Sequence, residues 1–234
     1  MYATQDKAAV DVDLWAWALS RDGCGVDVWY DLLSSSERNR ASGMKSNALR
    51  WSFIAGRGRM RQILAGYNAT DPAELQFEYG EKGKPALKNS DLQFNLSHTS
   101  DYVVLAVARG VHVGVDIEAA RPIEPRLARR FFSPAENAAL EKVQSPTEWN
   151  NTFFRIWTAK EAVSKALGLG LELDFRSFDI DSTAHCQTLS VTTKNEVRAP
   201  GALTCLRFPC LSGVYGCIAV VTDLSIALHR RHYG

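Results

Sequence analysis

The stretch Tyr102-Val103-Val104-Leu105-Ala106-Val107-Ala108-Arg109-Gly110-Val111-His112-Val113-Gly114-Val115-Asp116-Ile117-Glu118 decides the fold class. Residues 102–108 read as an apolar strand, Arg109-Gly110 as a tight hairpin turn, and residues 111–118 as the returning strand. Along that return, Val113, Val115 and Ile117 alternate onto one face, toward a core. Asp116 and Glu118 share the other face, with Gly114 leaving room beside them. An echo lies further on, where Tyr102-x-x-Leu105-Ala106-Val107-Ala108 matches Tyr215-x-x-Ile218-Ala219-Val220-Val221. Ahead of each Tyr strand stands a helix start of the S-x-x-E kind, Ser34 to Glu37 and Ser133 to Glu136. Cap, helix and Tyr strand, twice over, predict an α+β fold of two similar lobes related by internal duplication. Each lobe is then a small, mainly antiparallel sheet packed with helices. The lobes span 1–114 and 115–234, with a ligand cleft between them. Apolar strands also resemble one another without duplication.

The remaining elements are consistent with this division. Residues 12–19 alternate around Trp15 and Trp17 as a strand. A helix over 45–65 has Gly66 as its stop. Asn89-Ser90-Asp91 is a turn, and 92–96 a short strand running into Ser97-His98. Ser133-Pro134-Ala135-Glu136 and Ser145-Pro146-Thr147-Glu148 each open a helix, the second running to Leu167 with Gly168 as stop. Residues 187–193, 203–208 and 215–222 are strands separated by loops.

Composition excludes more than it assigns. The 27 Lys and Arg nearly cancel the 26 Asp and Glu, so whole-molecule charge favours neither a nucleic-acid nor a membrane partner. The five cysteines, Cys24, Cys186, Cys205, Cys210 and Cys217, form no Cys-x-x-Cys pair and suit reduced, buried thiols. Residues 1–10 lack the apolar core of a signal peptide, and no apolar run spans a bilayer. A cytoplasmic protein is expected.

Chemistry concentrates in four places. Two carboxylates side by side on one strand face, Asp116 and Glu118, repel unless a cation lies between them, and Mg²⁺ on phosphates commonly uses one or two carboxylates. An ordinary solvated face has the same pattern. In Trp157-Thr158-Ala159-Lys160-Glu161-Ala162-Val163-Ser164-Lys165, helical spacing puts Trp157, Glu161 and Lys165 on one stripe with Lys160 beside it. Glu161 there serves as a third metal ligand or a base; alternatively, Thr158 to Glu161 is a capping box and Glu161–Lys165 a surface pair. Asn95-Leu96-Ser97-His98 ends a strand, with His98 placed for a phosphate or ribose. Without a G-x-S-x-G elbow, Ser97-His98 does not signal a hydrolase. Finally, Arg38, Arg40, Lys45, Arg50, Arg57, Arg59 and Arg61 crowd the first helical region, and Lys84-Pro85 follows a turn at Gly80 to Gly83. Arginine forks suit phosphate, though a solvated helix face also explains such a run.

Gly83-Lys84-Pro85, Phe94-Asn95-Leu96-Ser97-His98, Gly114-Val115-Asp116-Ile117-Glu118, Phe131-Phe132-Ser133-Pro134-Ala135-Glu136 and Trp157-Thr158-Ala159-Lys160-Glu161-Ala162 occur in that order. Together they resemble the 4′-phosphopantetheinyl transferases of the surfactin-synthetase-activating type, over roughly residues 33–178. The resemblance implies a pseudo-twofold, two-lobed fold with coenzyme A in the cleft. It implies Mg²⁺ held by Asp116, Glu118 and Glu161, and cofactor contacts from Lys84, Pro85, Ser97, His98, Lys160 and Lys165. Arg40 and Arg57 fall where the family has basic cofactor-binding residues, and Glu136 matches an acidic position of unassigned role. The basic helix, reading Ala48-Leu49-Arg50-Trp51-Ser52, has fewer arginines than many members.

The implied reaction moves 4′-phosphopantetheine from coenzyme A to a serine of an apo carrier protein of fatty-acid, polyketide or nonribosomal-peptide synthesis, releasing 3′,5′-ADP. Asp116, Glu161 and Lys165 carry the catalysis. A monomer is expected, with no nucleic acid or membrane bound. The competing readings are a non-catalytic coenzyme A or nucleotide-binding module and a protein-interaction scaffold.

Overall fold

A computed structural model describes residues 9–19, 25–99, 101–181, 187–193 and 199–232. The first part of the chain forms β1 (Ala9–Ala18), α1 (Val26–Asp31), α2 (Ser35–Ser42), α3 (Asn47–Asn68), β2 (Phe77–Tyr79), β3 (Pro85–Leu87), β4 (Leu92–His98) and β5 (Tyr102–Arg109). The second forms β6 (Val113–Ala119), α4 (Pro125–Phe131), α5 (Pro134–Glu141), α6 (Pro146–Leu167), β7 (Phe178–Ile180), β8 (Thr188–Thr193), β9 (Leu203–Arg207), β10 (Val214–Val221) and β11 (Ser225–His232). Among the described residues one sheet has the order β11-β1-β5-β4, another β6-β10-β9-β8-β7, and β2 pairs with β3. The fold class is α+β, as expected.

Helix starts are where local chemistry dictates. Ser34 and Ser133 both make complete capping boxes, with Glu37 and Glu136 returning the bond. Ser46 and Ser145 cap the two long helices. Gly168 ends α6 in the left-handed conformation, φ 70°. Gly66, expected to end α3, lies inside it, and the helix runs on to Asn68. Its last turns bury Ile63, Leu64 and Ala65, and packing outweighs one glycine's roughly 1 kcal/mol preference.

The layers run helix, sheet, sheet, helix. Met60, Ile63 and Leu64 of α3 pack on Val103, Leu105 and Val107 of β5. Ala159, Ala162, Val163 and Ala166 of α6 pack on Cys217, Ala219 and Val221 of β10. Between the sheets lie Val12, Leu14, Val104, Ala106, Val113, Val115, Ile117, Ile218 and Val220. Leu105 therefore faces its helix while Ile218, its partner in the Tyr echo, faces the other sheet. That echo is one residue out of structural register, which reverses every side chain. The duplication shows instead in the caps and the buried ion pairs. Ser34, Glu37, Ser46 and Arg61 recur as Ser133, Glu136, Ser145 and Lys160, each 99 positions later. Arg61 meets Glu37 at 2.7 Å and Lys160 meets Glu136 at 2.9 Å.

The expected β5–β6 hairpin does not form. Gly110, at φ +67°, donates its N–H to Asp91 O, and the chain leaves one sheet for the other. β6 pairs with β10, and its inner residues face β5 across the central core. The changeover precedes β6, which runs unbroken through the expected division at 114/115. β11, unforeseen, returns to the first sheet parallel to β1. Cys205, Cys210 and Cys217 are free thiols, the first and last buried; Cys24 and Cys186 lie outside the described residues.

Candidate active site

Two buried backbone N–H groups on β6 explain why Asn95 and Ser97 stand on β4. Val115 N donates to Asn95 Oδ1 at 2.8 Å, and Ile117 N to Ser97 Oγ at 3.2 Å. These side chains replace the backbone acceptors a neighbouring strand would supply, joining the sheets at β4 and β6. On the other face of β6, Gly114 lets α6 come unusually close. A Cβ there would lie 2.1 Å from Ala162 O and 2.3 Å from Ala166 N.

That close approach brings α6 over Asp116. The carboxylate is 5% exposed, and its Oδ1 accepts from Lys165 Nζ at 2.7 Å and Ser97 Oγ at 3.0 Å. Ser97 Oγ also accepts from Lys165 Nζ at 3.2 Å. Asp116 Oδ2 is buried with no hydrogen-bond partner among the described residues. Burial pushes the Asp116 pKa up; Lys165 and Ser97 draw it down and Glu118 adds to the rise. Glu161 is raised too, first by burial, then by the charge of Asp116, against the pull of Lys165. Glu118 also raises it, so the three carboxylates sense one another's charge. Glu118 itself is held by Arg121 at 2.7 Å, a counter-ion that no sequence pattern signalled.

These contacts bear on the local alternatives for α6. Thr158 is mid-helix and donates to Phe154 O at 2.9 Å, so it caps nothing. Lys165 reaches across to Asp116 on β6. Trp157, on the same stripe, packs edge-on against Phe131 and stacks with Phe153.

The expected cofactor residues divide. Ser97 and Lys165 meet at Asp116, and His98 is exposed at the end of β4, its Nδ1 3.3 Å from Thr99 O. Lys160 lies apart from this group. It is fully buried in the core, bonded to Phe175 O at 2.6 Å, to Phe178 O at 2.8 Å and to Glu136 at 2.9 Å. Glu136 thereby gains a role as cap, counter-ion and acceptor for Ile180 N. Much of the basic run is likewise structural. Arg61 is buried on Glu37, Arg57 contacts Glu37 at 3.1 Å and the Tyr79 hydroxyl at 3.0 Å, and Arg59 lies over Trp29. Arg40 is exposed, its guanidinium 5.2 Å from the centre of the Phe53 ring. Pro85 opens β3 opposite Tyr79, and Lys84 donates to two main-chain carbonyls, Val113 O and Ala166 O.

The donor set suits a hard divalent cation. Carboxylate oxygens, an unpartnered buried Oδ2 and mutually repelling charges favour one. Among the described residues no three His, Cys, Asp or Glu side chains come together as a group that could hold a metal ion, so Asp116, Glu118 and Glu161 do not form a three-ligand site as they stand. Mg²⁺ needs no such group, because waters and phosphate oxygens complete its shell.

Residues 112–202 match the family model described as the 4′-phosphopantetheinyl transferase superfamily, and residues 19–110 the one described as 4′-phosphopantetheinyl transferase, N-terminal. The chain is 37% identical over 167 residues to the 4′-phosphopantetheinyl transferase HetI of Nostoc sp., covering 69% of this chain and 70% of that one. It is 32% identical over 160 residues to a Synechocystis sp. protein named as a putative 4′-phosphopantetheinyl transferase, covering 66% and 65%. It is 32% identical over 122 residues to the 4′-phosphopantetheinyl transferase Sfp of Bacillus subtilis, covering 52% and 54%.

Proposed function

We infer that this chain, which belongs to the 4′-phosphopantetheinyl transferase superfamily, transfers 4′-phosphopantetheine from coenzyme A to a serine hydroxyl of an apo carrier protein. The supporting observation is the buried Asp116, held on one oxygen by Lys165 and Ser97 and unpartnered on the other, with the Glu161 carboxyl within its field.

In the reaction the serine oxygen bonds to the phosphorus that carries pantetheine, and the bridging P–O bond of the pyrophosphate breaks. 3′,5′-ADP leaves with the electron pair, and the serine proton must go to a base. Asp116, Glu118 and Glu161 would hold Mg²⁺, which when bound supplies charge neutralisation to the pyrophosphate. Glu161, its proton affinity raised by burial and by Asp116, accepts the serine proton. Lys165 has three donors; two are committed to Asp116 and Ser97, which leaves the third for an oxygen of the departing phosphate. In phosphoryl transfer the work is almost entirely positioning the attacking oxygen in line and stabilising the developing charge.

The same reading takes the protein as a cytoplasmic monomer serving carriers of fatty-acid, polyketide or nonribosomal-peptide synthesis. Among the described residues no helix is long and apolar enough to cross a membrane. The test is mass spectrometry of an apo carrier after incubation with protein, coenzyme A and Mg²⁺. A phosphopantetheine mass increment on the carrier serine is expected. Coenzyme A binding with no increment on any of a panel of carriers would identify a binding module instead.

A further inference from the structure

The turn between β2 and β3 leaves its own lobe and grips the end of α6. Lys82 pairs with Glu172 just beyond that helix. Lys84 Nζ donates to Ala166 O at 3.0 Å and to Val113 O at 3.0 Å. Gly168 and Gly170 adopt positive φ, 70° and 56°, and lie in ordinary contact range of the turn, a Cβ on either falling 3.6 Å from Lys84 Cδ or 3.7 Å from Lys82 Cβ.

The acceptors are informative. Ala166 lies in the last turn of α6, where carbonyls lack an intrahelical N–H. Its neighbours are used locally, Lys165 O by Gly168 N and Ser164 O by Leu169 N, while Ala166 O takes the ammonium. A cation there also opposes the negative end of the helix dipole. Val113 is the first residue of β6. One ammonium thus ties the start of the strand bearing Asp116 and Glu118 to the last turn of the helix bearing Glu161 and Lys165. Burial draws the Lys84 pKa down from 10.5 to about 8, so the charge sits there at a desolvation cost.

We propose that the Lys84 side chain is a positioning group, its ammonium fixing β6 against the end of α6, and through them the Asp116–Lys165 contact, in place of pairing with a cofactor phosphate. The inference rests on the transferase reading for its kinetic consequence and on the structure alone for its mechanical one.

The experiment compares Lys84→Met and Lys84→Arg with the wild type in three measurements: transfer kinetics, 3′,5′-ADP affinity, and amide hydrogen exchange over residues 162–168. In Lys84→Met, kcat should fall at least about tenfold, since an ångström of misplacement costs that or more. Exchange should quicken at least about tenfold as the helix end loses its tether. The 3′,5′-ADP affinity should stay within about threefold, and Lys84→Arg should recover part of both losses. Weakened 3′,5′-ADP binding with unchanged exchange would make Lys84 a cofactor contact and overturn the proposal, as would unchanged kcat and exchange. Nitrogen-resolved lysine NMR of the wild type covers the case in which Lys84→Met does not fold. On saturation with 3′,5′-ADP the Lys165 signal should move and the Lys84 signal stay; movement of Lys84 overturns the idea. If the wild type shows no transfer at all, the functional reading fails, while exchange and NMR still decide the tether.

Discussion

Replacing Gly114 with alanine should damage activity well out of proportion to the single methyl it adds. The new Cβ would lie 2.1 Å from Ala162 O, 2.3 Å from Ala166 N and 2.9 Å from Ala166 Cα. All three are main-chain atoms of α6, so no rotamer change relieves them. Ordinary contact begins near 3.4 Å, so the helix must back away from β6 by about 1.3 Å. Overpacking of this kind costs roughly 1–3 kcal/mol, or a fall of roughly 2–12 °C in melting midpoint for a chain of this size. The same displacement would stretch the Lys165–Asp116 contact from 2.7 Å to about 4 Å, beyond hydrogen-bond range. A shift of about 1 Å at reacting groups costs on the order of 100-fold in rate. The assay is a thermal melt beside carrier-modification kinetics at a temperature where both proteins are folded. Gly66→Ala is the control: it is a solvent-exposed interior helix position with nothing within 4 Å of a new Cβ, and should gain roughly 0.5–1 kcal/mol with no loss of rate. A Gly114→Ala protein that melts and turns over like the wild type would refute the close-packing argument.

Lys160→Met should destabilise by roughly 3–5 kcal/mol, because it leaves Glu136 buried without its counter-ion, yet preserve coenzyme A affinity in the folded fraction; denaturant titration with calorimetry checks both. Glu161→Gln should abolish most transfer yet raise the melting midpoint of the free protein near neutral pH. The sign follows from the raised Glu161 pKa: the folded state holds that proton more tightly than the unfolded chain. The stability it contributes is full below the ordinary carboxylate value and lost as pH rises through the raised one, so melts from pH 4 to 8 should converge with the wild type only at the acid end. Asp116→Asn should keep the fold and the Ser97 contact but loosen Lys165 and abolish transfer; wild-type rates in that variant would remove the carboxylate from the mechanism.

What the sequence revealed was whatever local chemistry controls. The caps at Ser34, Ser133 and Ser145 and the stop at Gly168 depend on a few neighbouring residues, and each was legible. So was the alternation that turns Val113, Val115 and Ile117 to the core and Asp116 toward α6. Strand partnership was not, because adjacent strands with two apolar faces can pair edge to edge or face one another across a core. β5 and β6 do the latter. β11 carries His229, Arg230, Arg231 and His232 and pairs with a strand at the far end of the chain, so nothing local announced it. The two lysines of α6 show how far helical geometry alone reaches. Lys165 is four residues from Glu161 and shares its face; Lys160 is one residue away, about 100° around, and enters the core. The motif placed both at the cofactor, and only the periodicity separates them.

The account depends most on Asp116 and Glu161 acting together on one cation. Crystals grown with coenzyme A and Mn²⁺ in place of Mg²⁺ locate that ion by its anomalous scattering. An anomalous peak bonded to Asp116 Oδ2 and to a Glu161 oxygen, at about 2.1 Å from each, is the predicted result. A peak elsewhere, or Lys165 alone filling the space between the two carboxylates, would contradict it.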